Sequence, residues 1–147
     1  MLGEIGMEKK HRSVTEMWRK YLNSIEVNTD KNYDSWYFCD NEGSANELAE
    51  LVKSGVKRAT TSLFYWYEVE GELLPEVGDL NIITDWDGIA QGIIETKKVT
   101  IIPFKDVSEE FARTEGEGDK SLEYWRRAHI EFFTKELNGV GKKFTED

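Results

Sequence analysis

Gly55-Val-Lys57-Arg58-Ala59-Thr60-Thr61-Ser62 is the stretch on which the reading of the chain turns. A helical pattern stops at Gly55, where a left-handed residue commonly ends a helix, and two cations and three hydroxyls follow at once. Just upstream, Ser44-Ala-Asn-Glu47 has the form of a capping box, and Ala45, Leu48, Ala49 and Val52 share one helical face. Downstream, Ser62 to Glu70 fits either a short helix or a buried strand, with the helix favoured. Pro75-Glu-Val-Gly78-Asp79 is a turn. Leu80 to Thr84 and Ile89 to Val99 then flank Asp85-Trp-Asp-Gly88, and Asp-Gly between apolar runs is a strong hairpin signal. Helix and strand signals on both sides of the motif indicate an α+β chain.

Further out, Ser13-Val-Thr-Glu16 reads as a second capping box, opening a helix that buries Val14, Met17, Trp18, Tyr21, Leu22 and Ile25. Residues 1–12 before it read as a tail. A polar stretch from Asn28 to Asn32 leads into a strand of aromatics, Tyr33 to Phe38. Thr100 to Phe104 is expected to continue the sheet, with Pro103 marking an edge or a strand end. Asp106-Val-Ser-Glu109 is expected to cap a short helix through Ala112. After a loop from Thr114 to Lys120, a long helix carries Leu122, Trp125, His129, Phe132, Phe133 and Leu137, and Gly139 and Gly141 close it. With no repeat, low-complexity tract or linker, residues 1–147 are expected to form a single domain.

The 147-residue length suits one domain with a real core. Apolar residues at 39% argue against disorder. No run approaches the ~18 apolar residues of a membrane span, and no signal pattern opens the chain. Cys39 is the only cysteine, which excludes an intrachain disulfide and fits a cytoplasmic location. Nineteen Lys and Arg against 29 Asp and Glu give a net charge of −10. Tight binding of an extended polyanion draws on many cationic contacts, so a nucleoside-like small molecule or at most a short RNA is the easier partner.

Two segments could carry chemistry. A lysine in a desolvated pocket can serve as base or nucleophile, and Thr60 stands three residues after Lys57, the arrangement of a lysine-assisted hydroxyl nucleophile. Equally, the segment could be a basic helix end followed by a Thr-rich strand. Glu115-Gly-Glu117-Gly-Asp119 presents three carboxylates on what reads as one tight loop, suited to a metal, to acid–base work or to recognising base and sugar donors, though without the ligand spacing of an EF-hand. Its plainer reading is an acidic loop in which Asp119 or Ser121 caps the next helix. His11 and His129 are the only histidines, and His129 on the apolar face of the last helix reads as a core residue with a partner. No His/Cys cluster, Walker loop or dinucleotide fingerprint is present, so neither a metal nor a cofactor is expected. Trp36 and Phe38 could stack on a base or fill a core.

Taken together, these segments resemble the ASCH domain family. The Gly55-x-Lys57-x-x-Thr60 pattern matches its upstream signature. Phe111-Ala112-x-x-Glu115-Gly-Glu117-Gly-Asp119, followed by Leu122, Trp125, Arg126, His129, Phe132 and Phe133, resembles the downstream signature of its longer bacterial members. Leu74-Pro75-x-x-Gly78-Asp79 and Val99-x-x-x-Pro103-Phe104-x-x-Val107 also fit. The resemblance implies a PUA-like fold, a small β-barrel flanked by helices, with a cleft for RNA or nucleosides. One bacterial branch of the family hydrolyses N4-acetylcytidine without metal, using a Lys, a Thr and a Glu. Carried over, these imply Lys57, Thr60 and either Glu115 or Glu117 as catalytic residues. Substrate contacts are expected from Trp36, Phe38, Thr61, Glu117 and Asp119. The sequence departs from the short amidohydrolases at Ser62, where they carry an arginine, and the family's pattern adds a strand after the position of Phe144. Amide hydrolysis of an acylated nucleoside is thus the first expectation and a non-catalytic RNA- or nucleotide-binding module the second. RNA cleavage is a third, disfavoured by the charge.

Overall fold

A computed structural model describes residues 10–25 and 31–147. The expected tail up to residue 9 and most of the polar stretch from Asn28 to Asn32 lie outside the described residues. By contacts the chain divides into two units, one made of residues up to Ser54 with Pro75–Val99, the other of Gly55–Leu74 with Thr100–Asp147.

The first unit holds α1 (Arg12–Ser24), β1 (Tyr33–Trp36), α2 (Glu42–Lys53), β2 (Leu80–Thr84) and β3 (Ala90–Glu95). Its sheet has the order β1-β2-β3 and is mixed. Strand β1 runs parallel to β2, pairing Tyr33 with Leu80 and Trp36 with Ile83, whereas β2 and β3 are antiparallel. The Asp85–Gly88 turn that joins them is held by its own first residue: Asp85 Oδ1 accepts from the backbone N–H of Asp87 and of Ile89, each at 3.0 Å. Gly88 takes φ 83°, the left-handed position that made Asp-Gly a hairpin signal. As the central strand, β2 buries Leu80, Ile82 and Ile83. Phe38, Ala49 and Ile83 form the buried core, with Trp36, Leu48, Val52 and Ile94 packed against it. Ala45 and Ala49, four residues apart on one face of α2, are fully buried and small enough to let the helix lie close to the sheet.

Both helices here start earlier than expected. Asn41, not Ser44, caps α2, its Oδ1 accepting from Ser44 N at 2.8 Å. His11 caps α1, and the Ser13 hydroxyl is engaged instead by the backbone N–H of Ala90 on β3, at 2.9 Å.

The second unit holds α3 (Phe64–Glu70), α4 (Glu109–Glu115) and α5 (Leu122–Asn138), with a 3₁₀ turn at Phe104–Asp106. The short helix favoured after Ser62 is present as α3. The strand expected over Thr100 to Phe104 is not. Pro103 offers no N–H to a ladder, Lys105 N–H donates to Glu146 O at 3.0 Å, and the Phe104 ring stacks on Trp125 with centroids 5.1 Å apart. Phe104, Trp125, Phe133 and Phe144 make an aromatic core, with both Trp125 and Phe133 98% buried. The chain is therefore α+β. Among the described residues the sheet has three strands and no barrel closure is seen, and no helix is long and apolar enough to cross a membrane.

Candidate functional site

Within the second unit, the segment Val56–Arg58 runs against the C-terminal end of α4. Arg58 N–H donates to Thr114 O at 3.0 Å. Ser108 caps α4 by accepting from Phe111 N at 3.0 Å, and Gly116 N–H closes the last turn on Ala112 O at 3.2 Å. The helix consequently runs beyond Ala112, and Glu115 is its last residue rather than part of a loop. Gly116 carries φ 74°, and a Cβ on it would stand 2.4 Å from Val56 O. Only glycine satisfies both the left-handed conformation and that approach. The glycine between the two glutamates thus fastens the acidic segment to the lysine segment.

Lys57 and Glu115 meet inside this junction. Their charged atoms are 3.3 Å apart, and each side chain is 2% exposed. Lys57 Nζ also donates to Ala59 O at 2.8 Å and lies 3.3 Å from Glu117 Oε1, whose side chain is more accessible at 16%. Glu115 is surrounded by donors. Its Oε1 accepts from Thr61 Oγ1 at 2.7 Å and from Trp125 Nε1 at 2.9 Å, and its Oε2 faces His129 Nε2 at 3.1 Å. Among the described residues no buried side-chain nitrogen or oxygen lacks a partner.

The two carboxylates titrate in opposite directions. Burial pushes Glu115 up, but the His129 hydrogen bond and the Lys57 charge outweigh it and hold the carboxyl at about 2. Burial raises Glu117, the Lys57 charge pulls it down and the Glu115 charge pushes it up again, leaving it raised from the ordinary glutamate value. Burial disfavours the charged form of His129, yet its hydrogen bond to Glu115 and that residue's charge bring it above the ordinary imidazole value. Ligand atoms of Glu115, Glu117 and His129 lie within 4.8 Å of one another, a spacing that a cation could bridge. The cation standing between the two carboxylates is the Lys57 ammonium itself, at 3.3 Å from each.

Of the residues singled out from sequence, Lys57, Thr61, Glu115 and Glu117 come together. Thr60 is exposed, next in the chain to that cluster. Asp119 is exposed and accepts from Ser121 N at 2.8 Å, ordering the turn into α5, while Ser121 itself caps the helix. Trp36 and Phe38 belong to the first unit: Phe38 is buried in its core, and Trp36 Nε1 donates to Asn81 Oδ1 at 2.9 Å. Trp125 and His129 reach the cluster from α5, a role that sequence reading did not give them. Their i, i+4 spacing on the buried helix face was the available signal, because it sets an indole N–H and an imidazole one above the other.

Among curated proteins none matches the chain. The pattern defining the ASCH domain matches residues 34–147, and the chain belongs to the ASCH domain family. In structure it is similar to an ASCH domain from Lactobacillus crispatus JV V101, at 42% identity and a TM-score of 0.88 over 96% of this chain and 91% of that one. It is also similar to a protein from Enterococcus faecalis V583, at 37% identity and a TM-score of 0.82 over 92% of this chain and 82% of the other.

Proposed function

We propose that this chain hydrolyses the acyl amide of an N4-acetylcytidine-like nucleoside, with Lys57 as base, Thr60 as nucleophile and Glu117 as acid. One observation carries this reading: Lys57 is buried between two carboxylates, of which Glu115 is held ionised and Glu117 is raised. Titratable neighbours whose environments push their pKa values apart are the usual basis for dividing acid and base roles. The family signature fits either Glu115 or Glu117 as the catalytic glutamate. A carboxyl held at about 2 makes a poor proton donor near neutral pH, which favours Glu117 as the acid and Glu115 as the anchor.

In this scheme the reacting form has one proton shared between the pair, with Lys57 neutral and Glu117 protonated; Thr60 Oγ1 attacks the amide carbonyl carbon, and its proton passes to Lys57, which returns it to Glu117 at the end of the cycle. The C–N bond breaks as Glu117 protonates the leaving nitrogen, and water then hydrolyses the acyl-threonine ester to release acetate and restore the hydroxyl. The PUA-like barrel and the cytoplasmic setting implied by the family resemblance belong to the same proposal.

A second reading has its own support. Lys57 Nζ lies within 3.3 Å of Ala59 O, Glu115 Oε2 and Glu117 Oε1, enough acceptors to engage every hydrogen of an ammonium. That arrangement suits a rigid, non-catalytic module that binds a nucleotide or a short RNA. Incubating the protein with N4-acetylcytidine and following cytidine and acetate separates the two. Stoichiometric release of both products that is lost in Thr60→Ala supports hydrolysis. Binding of short RNA that weakens steeply with salt, without turnover of the nucleoside, supports the module.

A further inference from the structure

The ring of His129 faces an acceptor on each side. Nδ1 lies 2.8 Å from the backbone carbonyl oxygen of Trp125, and Nε2 lies 3.1 Å from Glu115 Oε2. A carbonyl oxygen only accepts, so Nδ1 must carry hydrogen. In a neutral ring the Nε2 lone pair would then point at Oε2, and one proton must lie in that contact, on the ring or on the carboxyl. Glu115 already receives hydrogen bonds from Thr61 and Trp125 and has the Lys57 ammonium beside it, and donors on this scale favour the ionised carboxylate. The proton therefore falls on the ring.

We propose that His129 is the positioning residue of this cluster, kept as an imidazolium whose two N–H groups span from Trp125 O to Glu115 Oε2. As a cation it is stacked on the Trp125 ring, centroids 4.2 Å apart and planes 21° from parallel, with Phe133 edge-on at 5.5 Å. The charged groups of the surrounding cluster are Glu115 at the end of α4, Glu117 in the turn after it, and Lys57 from the preceding segment beyond Glu115. With His129 charged, two cations meet two carboxyls. When the ring loses its second proton, its lone pair opposes Oε2, Glu115 keeps Thr61, Trp125 and Lys57 but loses the His129 donor, and Lys57 becomes the one cation facing both carboxyls. The cluster is then proton-gated on its alkaline side. The bearing of this gate on hydrolysis rests on the proposed function, whereas the protonation state of the ring does not.

Nitrogen-detected NMR of the imidazole rings tests it. The chain has two histidines, and His11→Asn keeps a capping residue at the start of α1 while leaving only His129 in the spectrum. The expected result is two protonated ring nitrogens near neutral pH, a midpoint above 6.5, and a lower midpoint in Glu115→Gln. A single protonated ring nitrogen near neutral pH overturns the proposal, as does a midpoint that Glu115→Gln leaves unmoved. Should that variant fail to fold, the His11→Asn spectrum alone decides. A protein inert towards N4-acetylcytidine but with a doubly protonated His129 would remove the hydrolytic reading and leave this one standing.

Discussion

Glu115 Oε2 receives Lys57 and His129 together, at 3.3 and 3.1 Å, at the end of a helix where the carboxylate is almost wholly removed from water. A buried ion pair carries a desolvation penalty that its own attraction does not reliably repay. Here Thr61 and Trp125 supply two further hydrogen bonds to the other carboxylate oxygen. Deleting the charge at Glu115 would leave two buried cations facing an amide.

Stability should follow the titration of this carboxylate and its histidine. The folded-state value of about 2 lies below the ordinary 4.5, so the Glu115 contribution is complete above pH 4.5 and is lost as pH falls towards about 2. Glu117, raised by burial, takes up its proton more readily in the folded state and offsets part of the acid loss. His129 is raised, so its contribution is complete below 6.5 and is lost as pH climbs through its folded-state value. Urea unfolding across pH should show both flanks, and Glu115→Gln should flatten them while costing ~3–5 kcal/mol near neutral pH. A variant that keeps the wild-type acid flank would show that another group sets it.

Gly116 and Gly55 offer a matched comparison. Both have positive φ, 74° and 80°, but a Cβ at Gly116 meets Val56 O at 2.4 Å whereas at Gly55 it meets nothing within 4 Å. Gly55→Ala should cost only the left-handed strain of ~1–2 kcal/mol. Gly116→Ala should cost that and more, because backbone must move, and it should also disturb Lys57 and Glu115. Equal losses from the two substitutions in thermal unfolding would mean that the close approach is not a constraint.

Thr60 and Thr61 should separate by function. Thr61 donates to Glu115, so Thr61→Ala leaves a buried acceptor short of a partner and should cost ~1–3 kcal/mol. Thr60 is exposed, and Thr60→Ala should change stability by no more than ~0.5 kcal/mol while abolishing hydrolysis. Full turnover by the Thr60 variant would transfer the nucleophile's role elsewhere.

The two segments of the Lys57–glutamate junction were legible because each is marked locally, by a glycine-stopped helix before the lysine and by alternating glycines after Glu115, whereas their pairing was implied only by the family resemblance. The Asp85–Gly88 hairpin was readable for the same reason, since a turn is specified by its own residues. The different surroundings of Glu115 and Glu117 were not, because they depend on Trp125 and His129 approaching from α5. Helix α4 runs on to Glu115 because Gly116 closes its last turn on Ala112, a backbone detail that hydrophobic spacing does not encode. The strand expected over Thr100 to Phe104 failed on tertiary grounds, with Phe104 drawn into the aromatic core beside Trp125. Phe38 lies in the core of the first unit, with Trp36 packed against it.

The central claim is that Lys57 takes part in proton transfer, and Lys57→Arg tests it most directly. Guanidinium keeps the positive charge but cannot give up a proton, whereas Lys57→Ala removes both charge and proton carrier. Initial rates of cytidine release from N4-acetylcytidine would be compared for wild type and both variants, with folding checked by circular dichroism. Both substitutions should reduce turnover by about a hundredfold or more, the scale of a lost acid–base group. An arginine variant as active as wild type would contradict the claim, reducing Lys57 to a charge that holds Glu115 and Glu117 in place.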